Sequence, residues 1–182
     1  MDAEGDACDY NMQGKSLRIQ MTIYTIGHSN ISIDAFLKLL YGAGIEVLVD
    51  VRSSPYSKYA AQFNKEELKN VLNREGIRYL YMGDSIGGRP SDKSCYAGEN
   101  PDYDAIRQKD FYKTGLDRLI KGIAMYRIAI MCSEEDAMKC HRRNLIGVDI
   151  YAKGIQVIHI RGTGVMEEDN FSEFLSNEWR VK

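Results

Sequence analysis

Three times in this chain a short, β-branched apolar run halts at a cluster of polar residues and gives way to a helical pattern. The runs are TIYTI at residues 22–26 before Gly27-His28-Ser29-Asn30, IEVLVDV at 45–51 before Arg52-Ser53-Ser54, and RIAIM at 127–131 before Cys132-Ser133-Glu134-Glu135. Apolar runs with so little polar alternation suit parallel strands covered on both faces. Between them, Ser32 is placed to cap a helix whose apolar positions Ile33, Phe36, Leu37, Leu39 and Leu40 recur at helical spacing, closed by Gly42 and Gly44. Asn64 with Glu67 reads as a capping pair opening a helix from Lys65 to Arg74, with Gly76 as its stop. Residues 77–82 and 156–160 supply two more strands, 101–122 one or two helices, and 170–175 a short amphipathic one. This alternation predicts an α/β fold: a single domain over residues 22–182 with a mainly parallel sheet flanked by helices. Residues 1–21, with several acids, Gly5 and Gly14 and no sustained period, read as a mobile N-terminal extension.

Composition narrows the function classes. A net charge of −2 lacks the basic footprint of a nonspecific nucleic-acid binder, although a local basic patch is compatible with it. Asp2, Glu4, Asp6 and Asp9 stand where a secretory leader would carry an apolar block, and no run of about 18 apolar residues occurs, so no membrane association is expected. Four cysteines, at positions 8, 95, 132 and 140, are too few and too irregular for a disulfide framework, which points to a reducing cytoplasmic setting.

In an open α/β sheet, ligands bind beyond the carboxyl ends of the strands. The three polar tips should therefore share one rim. Ser133 is expected to cap a helix running on from Glu134, aiming its first N–H groups into the crevice. His28, Asp50 and Glu134 are the acid/base candidates, and Cys132 is a candidate nucleophile whose thiol a helix N-terminus would activate and whose acidic neighbours would oppose. Arg52, Arg89 and Arg142 are candidate anion clamps, because a guanidinium fork matches phosphate and carboxylate geometry. A structural ion pair with Asp50 or Glu134 is the alternative for Arg52. Ser29, Ser53 and Ser57 add hydroxyl donors, His141 adds an imidazole, and Gly87-Gly88 forms a tight turn presenting Arg89. Cys132, Cys140 and His141 are soft ligands of the kind zinc prefers. Cys140 and His141, adjacent on a helix, would however diverge by about 100°, so neither a metal set nor a cofactor is expected. His159, inside an apolar strand, reads as a satisfied core residue.

Taken together, TIGHSN at 25–30, DVRSSPYS at 50–57, Phe63, IGG at 86–88 and MCSEEDAMKCHR at 131–142 resemble the domain-of-unknown-function 488 family, over about residues 22–160. The resemblance implies a compact α/β fold and a set of motif positions: His28, Asp50, Arg52, Pro55, Ser57, Gly87, Gly88, Cys132, Glu134, Cys140, His141 and Arg142. It implies no reaction. Ile86 stands where the family usually carries leucine. The expectation is an enzyme binding a phosphate-bearing substrate, related to a nucleotide or nucleic acid, in a strand-end pocket. The alternative is a noncatalytic nucleotide or nucleic-acid binding module in which the Cys/His cluster is structural. Either way the partner is an anionic small molecule or a nucleic acid, and the sequence leaves oligomeric state open.

Overall fold

The computed structural model describes residues 21–175. Apart from Met21, the expected N-terminal extension lies outside them. Six strands form one sheet: β1 (Thr22–Gly27), β2 (Val47–Asp50), β3 (Arg78–Tyr81), β6 (Ile128–Cys132), β7 (Gln156–Ile160) and β8 (Met166–Asp169), in the order β3-β2-β6-β1-β7-β8. All neighbours run parallel except the β7–β8 edge pair. A two-stranded ribbon, β4 (Tyr96–Ala97) with β5 (Asn100–Pro101), lies in the loop between β3 and the helices that follow.

Alternation along the strands explains the two cores. Val47, Val49, Ile128 and Ile130 face one side, where α3 (Tyr103–Arg107), α4 (Asp110–Ile123) and α5 (Val148–Tyr151) bring Ile106, Leu116, Leu119, Ile123 and Ile150. Leu48, Ala129, Met131 and Ile26 face the other, covered by Phe36, Leu37 and Leu40 of α1 (Ile33–Gly42) and Leu68 and Leu72 of α2 (Lys65–Arg74). A strand buried on both faces has no polar face to alternate, which is why the central runs looked continuous. The Ser32 cap is present, its hydroxyl accepting from Ala35 N at 3.2 Å. Asn64 stands at the N-cap of α2, but its side chain accepts from Ser57 N at 2.7 Å and makes no capping bond. The final helix, α6, spans Ser172–Leu175.

The segment after β6 departs from expectation. No helix starts at Ser133. Instead His28 N and Ser29 N donate to the carbonyls of Cys132 and Ser133 at 3.1 and 2.9 Å, so the pairing with β1 runs on past the strand ends. The carbonyls of Glu134 and Glu135, which a helix would use in its own ladder, accept from the guanidinium of Arg142. Only a single 3-10 turn forms, Ala137–Lys139, capped by Asp136. Helical structure resumes with a π-helical stretch, Arg142–Gly147, that continues into α5. Wide π turns inside helices often occur at functional sites.

Close approach at the sheet's carboxyl end demands glycine. A Cβ on Gly27 would lie 1.8 Å from the Glu134 carbonyl oxygen, a backbone atom that cannot swing aside. Gly42, at the end of α1, has open space around its Cβ position. Gly27→Ala should therefore lower unfolding free energy by at least about 1–3 kcal/mol, the usual cost of overpacking, while Gly42→Ala should cost nothing. Denaturant melts of the two variants check this, and equal stabilities would contradict it.

Candidate functional site

The strand order sets β1 and β2 on either side of β6, with Gly27 opposite Cys132 and Asp50 opposite Met131. The three polar tips do meet at one end of the sheet. Beyond them opens a cavity of about 540 Å³ lined by Arg52, Ser53, Ser54, Gly88, Arg89, Pro101, Tyr103, Cys132, Ser133, Glu134, Lys139, Cys140 and His141. Its size is that of a small-molecule site.

The tips divide into a scaffold beneath the cavity and groups that face it. Asp50 is fully buried. Its Oδ1 accepts from Arg52 Nε at 2.9 Å, and its Oδ2 accepts from Arg52 Nη2 at 2.6 Å and from the Tyr79 hydroxyl at 2.7 Å. Arg52 Nη2 also donates to the Phe63 carbonyl at 2.7 Å, and Nη1 to His28 Nε2 at 3.1 Å. His28 stacks on Phe63 with ring centroids 4.3 Å apart, and its Nδ1 donates to the Ser29 carbonyl at 2.8 Å. A guanidinium can only donate and a carbonyl can only accept, so the ring is neutral with its proton on Nδ1. Burial, helped by the neighbouring Arg52 charge and opposed by the Ser29 hydrogen bond, pushes the His28 pKa down to about 4.

The geometry puts several of the expected site residues outside the cavity lining. Neither His28 nor Asp50 lines the cavity, and each already has its polar atoms engaged, so neither is placed to exchange protons with a ligand there. Arg142, expected as an anion clamp, is buried away from the cavity lining, and its guanidinium ties Thr25 Oγ1 to the Glu134 and Glu135 carbonyls. Ser29 takes a left-handed backbone, φ 44°, and lies outside the cavity lining. Ser57 lies outside it too, its hydroxyl accepting from Tyr59 N in a local turn. Arg52 combines the two readings, a buried ion pair whose side chain also borders the cavity.

Facing the cavity are Ser53, Cys132, Glu134, Gly88, Arg89 and His141 of the expected set, joined by Ser54, Tyr103, Lys139 and Cys140. Gly87 and Gly88 are required by packing: a Cβ on Gly87 would lie 2.1 Å from the Gly83 carbonyl oxygen, and one on Gly88 2.5 Å from the His141 ring. The loop is pinned where Arg89 N donates to Ser53 Oγ at 2.9 Å. Lys139 was passed over in the sequence, although it stands beside Cys140 within a quoted motif. At the floor, His141 Nε2 donates to the Val51 carbonyl at 3.0 Å, leaving Nδ1 toward Cys132 and Cys140, 3.8 Å from each sulfur. Cys140 has extended backbone, φ −121° and ψ 142°, just ahead of the helix, so the expected divergence from His141 does not arise. The hydrogen bond between the two thiols, with burial, pushes Cys132 up; the same bond and the adjacent Arg142 bring Cys140 down.

A parallel α/β sheet with a thiol- and imidazole-floored pocket at its carboxyl end is the class that fold and site define. The family model for the domain of unknown function DUF488 matches residues 32–148, and the chain belongs to that family. The matched span is shorter than the 22–160 read from the motifs and leaves out His28. Comparisons with curated proteins and with solved structures each gave no match. Among the described residues no helix is long and apolar enough to cross a membrane.

The His28 environment yields a pH test. The unfolded chain protonates this ring near its ordinary value of 6.5 and the folded chain only near 4. As pH falls through that window the unfolded state alone gains a proton, so stability should drop, by an amount on the order of 3 kcal/mol at most. A His28→Gln variant should show a flatter stability profile between those pH values than the parent. Parallel profiles in urea melts would refute the assignment.

Proposed function

We propose that the protein is an enzyme whose strand-end pocket binds a phosphate-bearing small molecule, with the phosphate held at the mouth and chemistry at the floor. The observation that carries this reading is Arg89. Its guanidinium is exposed at the cavity and has no hydrogen-bond or ion-pair partner among the described residues, yet its backbone is fixed by Ser53 and the two glycines behind it. An unpaired guanidinium on a fixed backbone is suited to receive a phosphate or carboxylate, whose oxygens its fork matches, with only the side chain left to order on binding. Lys139 adds a second cation, tied only loosely to Asp136 at 3.8 Å, and Ser54 adds a hydroxyl. The acid/base role moves to Glu134, the carboxylate that lines the cavity.

Inorganic phosphate, pyrophosphate and nucleoside monophosphates form a direct ligand set for thermal-shift titration. At least one should raise the melting temperature, with an affinity that falls as salt rises. Arg89→Ala should weaken that ligand roughly tenfold or more, the share of one charge-assisted contact, and Lys139→Ala by less. If no member binds, or Arg89→Ala binds like the parent, the reading fails. Once a turned-over substrate is found, Glu134→Gln should cut its rate by about 10²-fold or more while leaving affinity near the parent's. An unchanged rate would remove Glu134 from the chemistry.

A further inference from the structure

We propose that Cys132 Sγ, Cys140 Sγ and His141 Nδ1 form a three-ligand site for a zinc-class divalent cation whose fourth coordination position opens into the pocket. The donor atoms of these three residues all lie within 4.8 Å of one another. Zinc bonds of about 2.3 Å to sulfur and 2.0–2.1 Å to nitrogen, arranged tetrahedrally, require donor separations of roughly 3.5–3.8 Å. Both sulfur-to-Nδ1 separations are 3.8 Å. Both match, and the two sulfurs are no more than 4.8 Å apart, so the cluster is near coordination geometry already.

Two independent features point the same way. The first is the imidazole tautomer. Val51 O can only accept, so the His141 proton sits on Nε2 and the Nδ1 lone pair is left toward the sulfurs. A hydrogen bond of this kind on the far nitrogen orients metal-binding histidines and fixes their tautomer. Gly88 supports the ring from behind, because any side chain there would collide with it. The second is charge. Two thiolates balance a divalent cation, and both sulfurs belong to buried cysteines that form no disulfide. Cys95, also buried and free, belongs to a separate part of the core and takes no part.

All three ligands border the cavity, so the fourth position faces solvent and ligand. Closed four-ligand sites are structural; three protein ligands with an open place are the arrangement of catalytic zinc. A water held there would be acidified by the ion, with Glu134 on the same wall to take up its proton. The proposal does not depend on phosphate binding at Arg89.

The test uses the full chain, purified without an affinity tag that binds metal and stripped with chelator under reducing conditions. Titration with Co²⁺ should saturate at one equivalent and give the thiolate-to-cobalt charge-transfer band and the intense visible bands of a tetrahedral site, and Zn²⁺ should displace it. Bound Zn²⁺ should also shield two thiols from a colorimetric thiol reagent. Cys140→Ser and His141→Ala should each weaken Co²⁺ at least roughly tenfold, no less than loss of an outer-sphere partner costs, whereas Cys95→Ser should bind normally. A cobalt spectrum without thiolate charge transfer, or unshielded thiols at saturation, overturns the proposal even if the ligand variants fail to fold. So does a Cys132–Cys140 disulfide that persists in reductant. Phosphate binding lost in Arg89→Ala with cobalt binding intact would separate the two sites.

Discussion

The carboxylate of Asp50, buried at the end of the central sheet, is the constraint on which the site depends. It accepts two side-chain hydrogen bonds from Arg52 and one from Tyr79. Arg52 in turn reaches the Phe63 carbonyl and the His28 ring. A buried pair of this kind adds little net stability over an apolar replacement, yet removing one partner costs about 3–5 kcal/mol because the other charge is stranded. Its value lies in position. It locks the tip of β2 to β3, to the loop before α2 and to the tip of β1, and so fixes the Val51 carbonyl that orients His141.

Arg142 performs the same service from the other side. Its guanidinium satisfies two carbonyls of the loop after β6 and the hydroxyl of Thr25. Thr25 bonds His159 at 2.7 Å, and His159 and Arg143 both hold Asp169 of β8. Burial acts against the Asp169 charge, but these hydrogen bonds keep its carboxyl well below the usual range. The polar atoms behind the pocket are thus paired with one another, and the cavity receives side chains from a rigid wall.

That arrangement explains what the sequence could and could not convey. The central strands were legible because burial on both faces leaves an uninterrupted apolar run, and the meeting of their tips followed from parallel pairing. Strand order was not legible, since long-range pairing leaves no local trace. β8 was missed because Met166-Glu167-Glu168-Asp169 carries no apolar alternation and pairs only at the sheet edge. His28, Asp50 and Arg142 were read as ligand-facing because a polar residue at a strand tip looks the same whether it meets a substrate or another buried charge. The helix expected after Ser133 failed for a nonlocal reason: a guanidinium several residues downstream takes the carbonyls that helix would need. Without that helix Cys140 is extended and does not diverge from His141 as neighbours on a helix would.

What remains exposed to the cavity sorts by chemical hardness. Arg89, Lys139, Ser53 and Ser54 are hard donors suited to phosphate oxygens, while Cys132, Cys140 and His141 are soft. Both sets open onto the same space of about 540 Å³. A phosphate-bearing molecule held by the hard set would therefore present another part of itself to the soft set, with Tyr103 and Glu134 on the walls between. A ligand that is phosphate alone would leave the floor uncovered. Under the function proposed above, the substrate would carry a phosphate at one end and a reacting group some distance away, while the motif residues behind the cavity hold its wall.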